Sequence, residues 1–160
     1  MLRFTYKPFY RFIYRYGNLL ITPILFLYMF PAIVSFRYEV GQSIYLFVFS
    51  AVIFYVNKLY FRLYQILPFQ IEIDEDKIIC SQFFSRDKKI VLHFSEMTKL
   101  EGGIFYGKSK GLMQIKGGKT TIGFFHHLTN ANIIIAMLLQ KVPLEVYKQI
   151  EMKIKSRLEV

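Results

Sequence analysis

Two long stretches without a charged residue limit what this chain can become. Between Arg15 and Arg37 lie 21 uncharged residues, YGNLLITPILFLYMFPAIVSF, and between Glu39 and Lys58 lie 18 more, VGQSIYLFVFSAVIFYVN. As helices rising about 1.5 Å per residue, each is close to the length that a hydrocarbon core of ~30 Å requires. The second gains length by taking in Leu59, Tyr60 and Phe61. Pro23 and Pro31 would end a helix in water, but prolines are tolerated in spans whose neighbours re-satisfy the freed carbonyls. Two buried core helices fit poorly, because the rest of a 160-residue chain is too little to cover both. A cleaved signal peptide fits poorly as well, since its apolar region is shorter and AIVSFRYEV has no small-x-small cleavage site.

The short connection RYEVGQ makes the two spans an antiparallel hairpin. Residues 1–63 carry seven Lys/Arg against Glu39 alone, and six of the cations lie at the ends away from the turn: Arg3, Lys7, Arg11 and Arg15 before span one, Lys58 and Arg62 after span two; the turn has only Arg37, offset by Glu39. The positive-inside rule then puts both termini in the cytoplasm, with the protein a multi-pass protein of the cell membrane.

The opening segment RFTYKPFYRFIYRYG interleaves those four cations with rings. On a soluble chain of net charge +10 such a pattern would indicate nucleic acid. Here 54% of residues are hydrophobic, the mean hydropathy is positive, and the segment runs directly into a span. Its phosphates are therefore those of lipid headgroups, contacted by Arg3, Lys7, Arg11, Arg15, Lys58 and Arg62, and no nucleic acid is expected. Spacing by four places the first four cations on one helical stripe, with Phe4, Tyr6, Phe9, Tyr10, Phe12 and Tyr14 at the interface. Pro8 suits the first turn of that helix.

After Gln65 the period changes. Phe69, Ile71 and Ile73 alternate with Gln70, Glu72 and Asp74, as in a half-buried strand. DEDK turns the chain into IICSQFF, SRDKK turns it into IVLHF, SEMTKLE follows, and GLMQIKGGKTTIGFF is a hairpin around Gly117–Gly118, where glycine supplies positive φ. LTNANIIIAMLLQK reads as a helix capped by Thr129 or Asn130, and Pro143 opens another with Leu144, Tyr147, Ile150, Ile154 and Leu158 recurring every three or four residues. The expected class is α+β: a basic aromatic segment over 1–17, a two-span hairpin over 18–63, and an antiparallel β-domain with C-terminal helices over 66–160. The first of those helices is apolar over most of its circumference, so one side needs cover beyond the sheet. Ile133, Ile135 and Leu139 are the expected interaction surface, for a protein partner or a second copy.

The run KIICSQFFSRDKKIVLHFSEMTKLE, the GLMQIKGGKTTIGF hairpin and a closing helix together resemble the bacterial pleckstrin-homology-like (YcxB-like) domains, which follow membrane hairpins in small bacterial membrane proteins. The resemblance covers roughly residues 66–142, with the corner His93-Phe94-Ser95-Glu96-Met97 at its centre. Phe94 stands where a tryptophan is common. The resemblance implies seven strands, of which six are visible, leaving one to be found in GGIFYGKSK or SEMTKLE. It also implies that a phosphoinositide would be held by cations around the first hairpin. That hairpin reads as the acidic DEDK, which argues against such a site and leaves a diffuse attraction of anionic lipid to the loop cations Arg86, Lys88, Lys89, Lys108 and Lys110.

Nothing in the chain has the pattern of catalysis. His126 and His127 would point to opposite faces if both lay on a strand, Cys80 and His93 lack metal-site spacing, and Asp74-Glu75-Asp76 lacks the length and glycine of a calcium loop. A Cys80–His93–Asp87 triad has no strained turn around it. The lone Cys80 makes no internal disulfide. KGGK lacks the Ser/Thr and helix of a phosphate loop. The expectation is a non-catalytic, cofactor-free, metal-free binding or scaffolding module held at the cytoplasmic face. The alternative is an accessory subunit of a transporter or channel, for which Gly41, Ser43, Ser50 and Ala51 offer a thin small-residue face. Topology is checked with Cys80 replaced: Gly41→Cys should label with an impermeant reagent outside intact cells, and Ser109→Cys only after permeabilisation.

Overall fold

The computed structural model describes every residue except Met1, Tyr38, Arg86, Ser109, Glu159 and Val160, with the side chains of Arg157 and Leu158 also outside the description. The chain forms two compact units: residues 12–64, and a β-rich unit of residues 1–11 together with 65–160.

Two helices supply the first unit, α1 over Pro8–Val34 and α2 over Val40–Ile66, 27 residues each. At the helical rise each is about 40 Å long, enough for the hydrocarbon core and part of the interface. Only 11% and 6% of their most apolar stretches are buried, so the rest of the chain leaves both helices largely uncovered. Both helices outrun the uncharged stretches. Helix α1 starts at Pro8, whose missing N–H costs nothing in a first turn, and α2 continues past Phe61 to Ile66. Pro23 and Pro31 sit inside α1 without breaking it.

The β-rich unit holds seven strands among the described residues: β1 Leu2–Thr5, β2 Gln70–Ile73, β3 Lys77–Ser81, β4 Ile90–His93, β5 Met97–Glu101, β6 Leu112–Gly117 and β7 Thr120–Phe125. They form an antiparallel sheet of four in the order β1-β2-β3-β4 and one of three in the order β5-β6-β7, without closing into a barrel. Alternation holds where it was read: Phe69, Ile71, Ile73, Ile78, Cys80, Leu92, Phe94, Met113, Ile115, Ile122 and Phe124 are all buried. Burial also pushes the Cys80 thiol pKa up, so it stays protonated and unreactive. Helices α3, Ala131–Lys141, and α4, Leu144–Leu158, complete the unit.

The seventh strand is not where the sequence suggested. GGIFY is a 3-10 turn over Gly103–Tyr106, and the additional strand is β1, ahead of both apolar helices. Leu2, Arg3, Phe4 and Thr5 pair with Ile73, Glu72, Ile71 and Gln70. The expected helical stripe therefore fails at Arg3, and the first eleven residues belong with the β-domain rather than with a separate juxtamembrane segment. Phe4 and Tyr6 alternate inward, 4% and 5% exposed. Beyond Tyr6 the segment meets the other sheet: Tyr6 bridges Leu128, the Tyr6 hydroxyl accepts from Phe125 N at 2.8 Å, and Thr129 N donates to Thr5 O at 3.0 Å.

The sheets also meet at Gly117, where a Cβ would collide with the Leu92 side chain and stand 2.9 Å from Glu96 O. The turn beyond it uses Gly118 at φ 53°, as the glycine pair implied. Asn130 occupies the N-cap of α3 in the left-handed region, without a side-chain cap bond. Helix α4 packs on β5 and the following 3-10 turn through Val146 and Ile150, while Leu144 and Tyr147 are exposed. Of the expected stripe Ile150 faces inward and Ile154 is half-buried, while Val146 takes the place of Leu144 and Tyr147.

A fragment of residues 66–160 lacks β1 and two core aromatics, each worth about 3–5 kcal/mol on truncation, and exposes the β2 edge. It should aggregate or melt far below a chain in which a short Gly/Ser linker replaces residues 12–64. Thermal melts of the two, read by circular dichroism, check this.

Candidate functional site

The cations expected at headgroups have unequal surroundings. Arg3 Nη2 donates to Gln70 Oε1 at 2.6 Å and Arg3 Nε lies 4.0 Å from the Glu72 carboxylate. Gln82 also donates to Gln70 Oε1, at 2.7 Å, and Gln70 Nε2 donates to Glu72 at 2.7 Å, so the buried Gln70 amide is satisfied at both ends. Lys7 is exposed and its carbonyl accepts from Arg11 N, opening α1. The Arg11 guanidinium is 5.6 Å from the Phe69 ring centroid, Arg15 is 5.7 Å from that of Tyr16, and Lys58 is 5.9 Å from that of Phe54. Arg62 is exposed.

Among the loop cations, Arg86 lies outside the described residues. Lys88 Nζ donates to Gln65 O at 2.5 Å, at the C-terminal turn of α2 where carbonyls lack helical partners, and stands 4.8 Å from the Phe83 ring centroid. It is a helix cap as well as a surface charge. Lys89, Lys108 and Lys110 are exposed. The acidic DEDK turn is also occupied: Lys141, at the end of α3, donates to Asp74 O at 3.3 Å and Glu75 O at 2.6 Å. Lys99 and Lys116 flank Glu101, with Lys116 Nζ at 2.6 Å. Hydrogen bonds from both lysines hold the Glu101 carboxyl down at about 2.

On α3 the expected surface splits. Ile133 is 47% exposed, Leu139 is half-buried, and Ile135 is buried at 6% with Ala131, Ile134 and Leu138. Ile135 is a core residue, so its place on the interaction surface is withdrawn. Four apolar positions facing inward are what a helix plugging a sheet needs, and Ile133 is the apolar side chain left outward.

His126 and His127 do not obey strand alternation, because β7 ends at Phe125. Their ring centroids are 3.8 Å apart, and Tyr10 stacks on His127 at 4.1 Å. Burial, then the neighbouring His126 and Lys110, lower the His127 pKa.

In the helical unit polar contacts join the two helices at the end away from the turn, as Tyr45 to Tyr28 O does nearer the turn. Asn57 Nδ2 donates to Thr22 Oγ1 at 3.0 Å and to Ile53 O at 2.9 Å, and Asn18 Nδ2 reaches Asn57 Oδ1 at 3.4 Å. The Tyr64 hydroxyl meets Asn18 Oδ1 and lies 3.1 Å from Arg15 O, while Tyr60 donates to Ile13 O at 3.4 Å. Gly17 permits this approach, since a Cβ there would collide with the Tyr60 hydroxyl. By contrast a Cβ at Gly41 would meet nothing within 4 Å. The small residue that matters within the hairpin is Gly17, which the sequence reading passed over. Asn18 and Asn57, polar residues inside apolar runs, were the available signal for it.

Comparison with protein-family models, with curated proteins and with solved structures returns no match. Gly17→Leu should separate the helices at this point and cost more than Asn57→Leu, which removes interhelical bonds worth about 0.6 kcal/mol each on average. Unfolding of the full chain in mixed micelles, followed by helicity, gives the order.

Proposed function

We propose that this chain is a non-catalytic membrane module that presents a pleckstrin-homology-like β-domain at the cytoplasmic face of the bacterial inner membrane as a binding or scaffolding surface. One observation carries the reading: the apolar hairpin is inserted between β1 and β2, which are hydrogen-bonded neighbours in one sheet. The β-domain is thus joined to the membrane helices by two chain connections, one at each end of the hairpin. A tether of that kind limits how freely the domain can leave or tumble above a bilayer. A single flexible linker would not.

Seven strands divided four and three, followed by a helix with one buried face, support the pleckstrin-like reading. In that reading the DEDK turn is the second hairpin, not the first. The first, where phosphoinositide-binding relatives of the resembled family gather their cations, is the position taken by the membrane hairpin. That supports a protein partner over an inositol phosphate as the ligand of the β-domain. The outward Ile133, and the exposed Leu144 and Tyr147 of the next helix in sequence, are apolar material that such a partner would use.

The experiment is capture of the full chain from native membranes in a lipid-exchangeable mimic, with partners read by mass spectrometry, for the natural sequence and for Ile133→Glu. A partner retained by the first and lost at least tenfold by the second, with melting temperature unchanged, is the expected result. Equal recovery by both would remove α3 from the binding surface.

A further inference from the structure

Along the outside of the hairpin runs a groove of about 630 Å³, inside the roughly 300–1,000 Å³ range of small-ligand sites. Met29, 6% exposed, forms its floor. Phe26 of α1 and Phe54 and Phe61 of α2 also line it, with Ser50 the first of its α2 residues in sequence. From Ser50 to Phe61 is about 16 Å along the helix axis, about half the ~30 Å hydrocarbon core, or one leaflet. The other end is polar: Asn57 and Lys58 line it, and the Lys58 ammonium lies back over the Phe54 ring at 5.9 Å from its centroid. Arg62 follows Lys58 by one helical turn, on the same face of α2. Glu39 is the one acid in residues 12–64, and it lies about 28 Å from Lys58 along the axis, too far to neutralise the Lys58 ammonium.

We propose that the groove is a binding site for one anionic phospholipid, with an acyl chain lying between Phe26 and Phe54 and the phosphate against Lys58 and Arg62. The site rests on the hairpin spanning the bilayer. Length selects a single leaflet's chain, and the cationic end selects the charge of the headgroup. A zwitterionic lipid would fill the same apolar space, but its own ammonium would face two cations. Each cation near the membrane surface favours an anionic lipid by roughly fivefold. Lys58 lines the mouth of the groove, with Arg62 one helical turn beyond it.

The chain contains no tryptophan, so a single introduced one reports its own surroundings. Full-length Phe54→Trp is reconstituted into bilayers containing phosphatidylglycerol or phosphatidylcholine with brominated acyl chains, which quench indole fluorescence on contact. Phe47→Trp, at a position 75% exposed on α2, is the control outside the groove. Half-quenching of Phe54→Trp should need at least roughly fivefold less brominated phosphatidylglycerol than brominated phosphatidylcholine. Phe47→Trp should respond to both alike, and Lys58→Gln with Arg62→Gln should bring Phe54→Trp to the control ratio. Equal quenching of Phe54→Trp by both lipids overturns the site. So does a Phe54→Trp that neither lipid quenches while Phe47→Trp is quenched, since protein, such as a second copy, would then fill the groove. If neither tryptophan is quenched, the hairpin does not span the bilayer, and the membrane reading fails together with the site.

Discussion

The short contact made by Tyr6 is the joint on which the β-rich unit depends. The first sheet ends at β1, an edge strand of four residues that could not hold its place by its own ladder alone. Tyr6 continues the line of β1 into the second sheet, bridging Leu128 and accepting the Phe125 N–H at 2.8 Å, while its ring meets Phe69 edge-on at 6.3 Å between centroids. A buried backbone N–H without a partner costs about 1–3 kcal/mol, so this hydroxyl secures β7 as much as β1. Because Pro8 begins α1 two residues later, the joint also fixes where the apolar helix starts.

The far end of the hairpin is secured differently. Helix α2 ends at Ile66, and the next residues, Leu67 and Phe69, are buried at 2%. Phe69 N donates to Gln82 O and the Gln65 carbonyl accepts from Lys88. One connection into the β-rich unit is thus a strand and an aromatic hydroxyl, the other a capped helix end and a buried aromatic. Within the hairpin the helices hold each other through Gly17, Asn18 and Asn57 at one end, and at the turn end through Tyr45 to Tyr28 O and Gln42 to Ser35 O.

Much of this was legible from periodicity and some of it was not, for identifiable reasons. Uncharged runs and alternation are properties of many consecutive residues, and the helices and the strands after Gln65 follow them. Strand β1 was hidden because a spacing of four is also a multiple of two: Arg3, Lys7, Arg11 and Arg15 suit a helix, while Phe4 and Tyr6 suit a strand, and the pairing that decides lies 65 or more residues away. Ile135 was misplaced because an all-apolar helix gives no periodic signal for which side faces in. The pairing of Tyr10 with His127, and of Lys88 with the end of α2, joins residues far apart in sequence and leaves no local trace.

The distribution of cations bears on how such a chain would meet a lipid surface. Net charge alone would predict attraction along the whole molecule. In the β-rich unit, however, Lys141 caps the carbonyls of the DEDK turn, Lys153 lies over Tyr106 with its ammonium 3.3 Å from the hydroxyl, and Lys99 and Lys116 share Glu101. Residues 64–160 balance fourteen cations with ten acids. Residues 1–63 set seven against one, and Lys58 and Arg62 stand beyond the reach of Glu39, whose separation exceeds the screening length of about 8 Å at physiological salt. Counted by unit, residues 12–64 set four cations against Glu39, while residues 1–11 with 65–160 set seventeen against ten acids, so both units offer positive charge, with Arg3, Lys7 and Arg11 on the β-rich side and Arg15, Lys58 and Arg62 on the helical side.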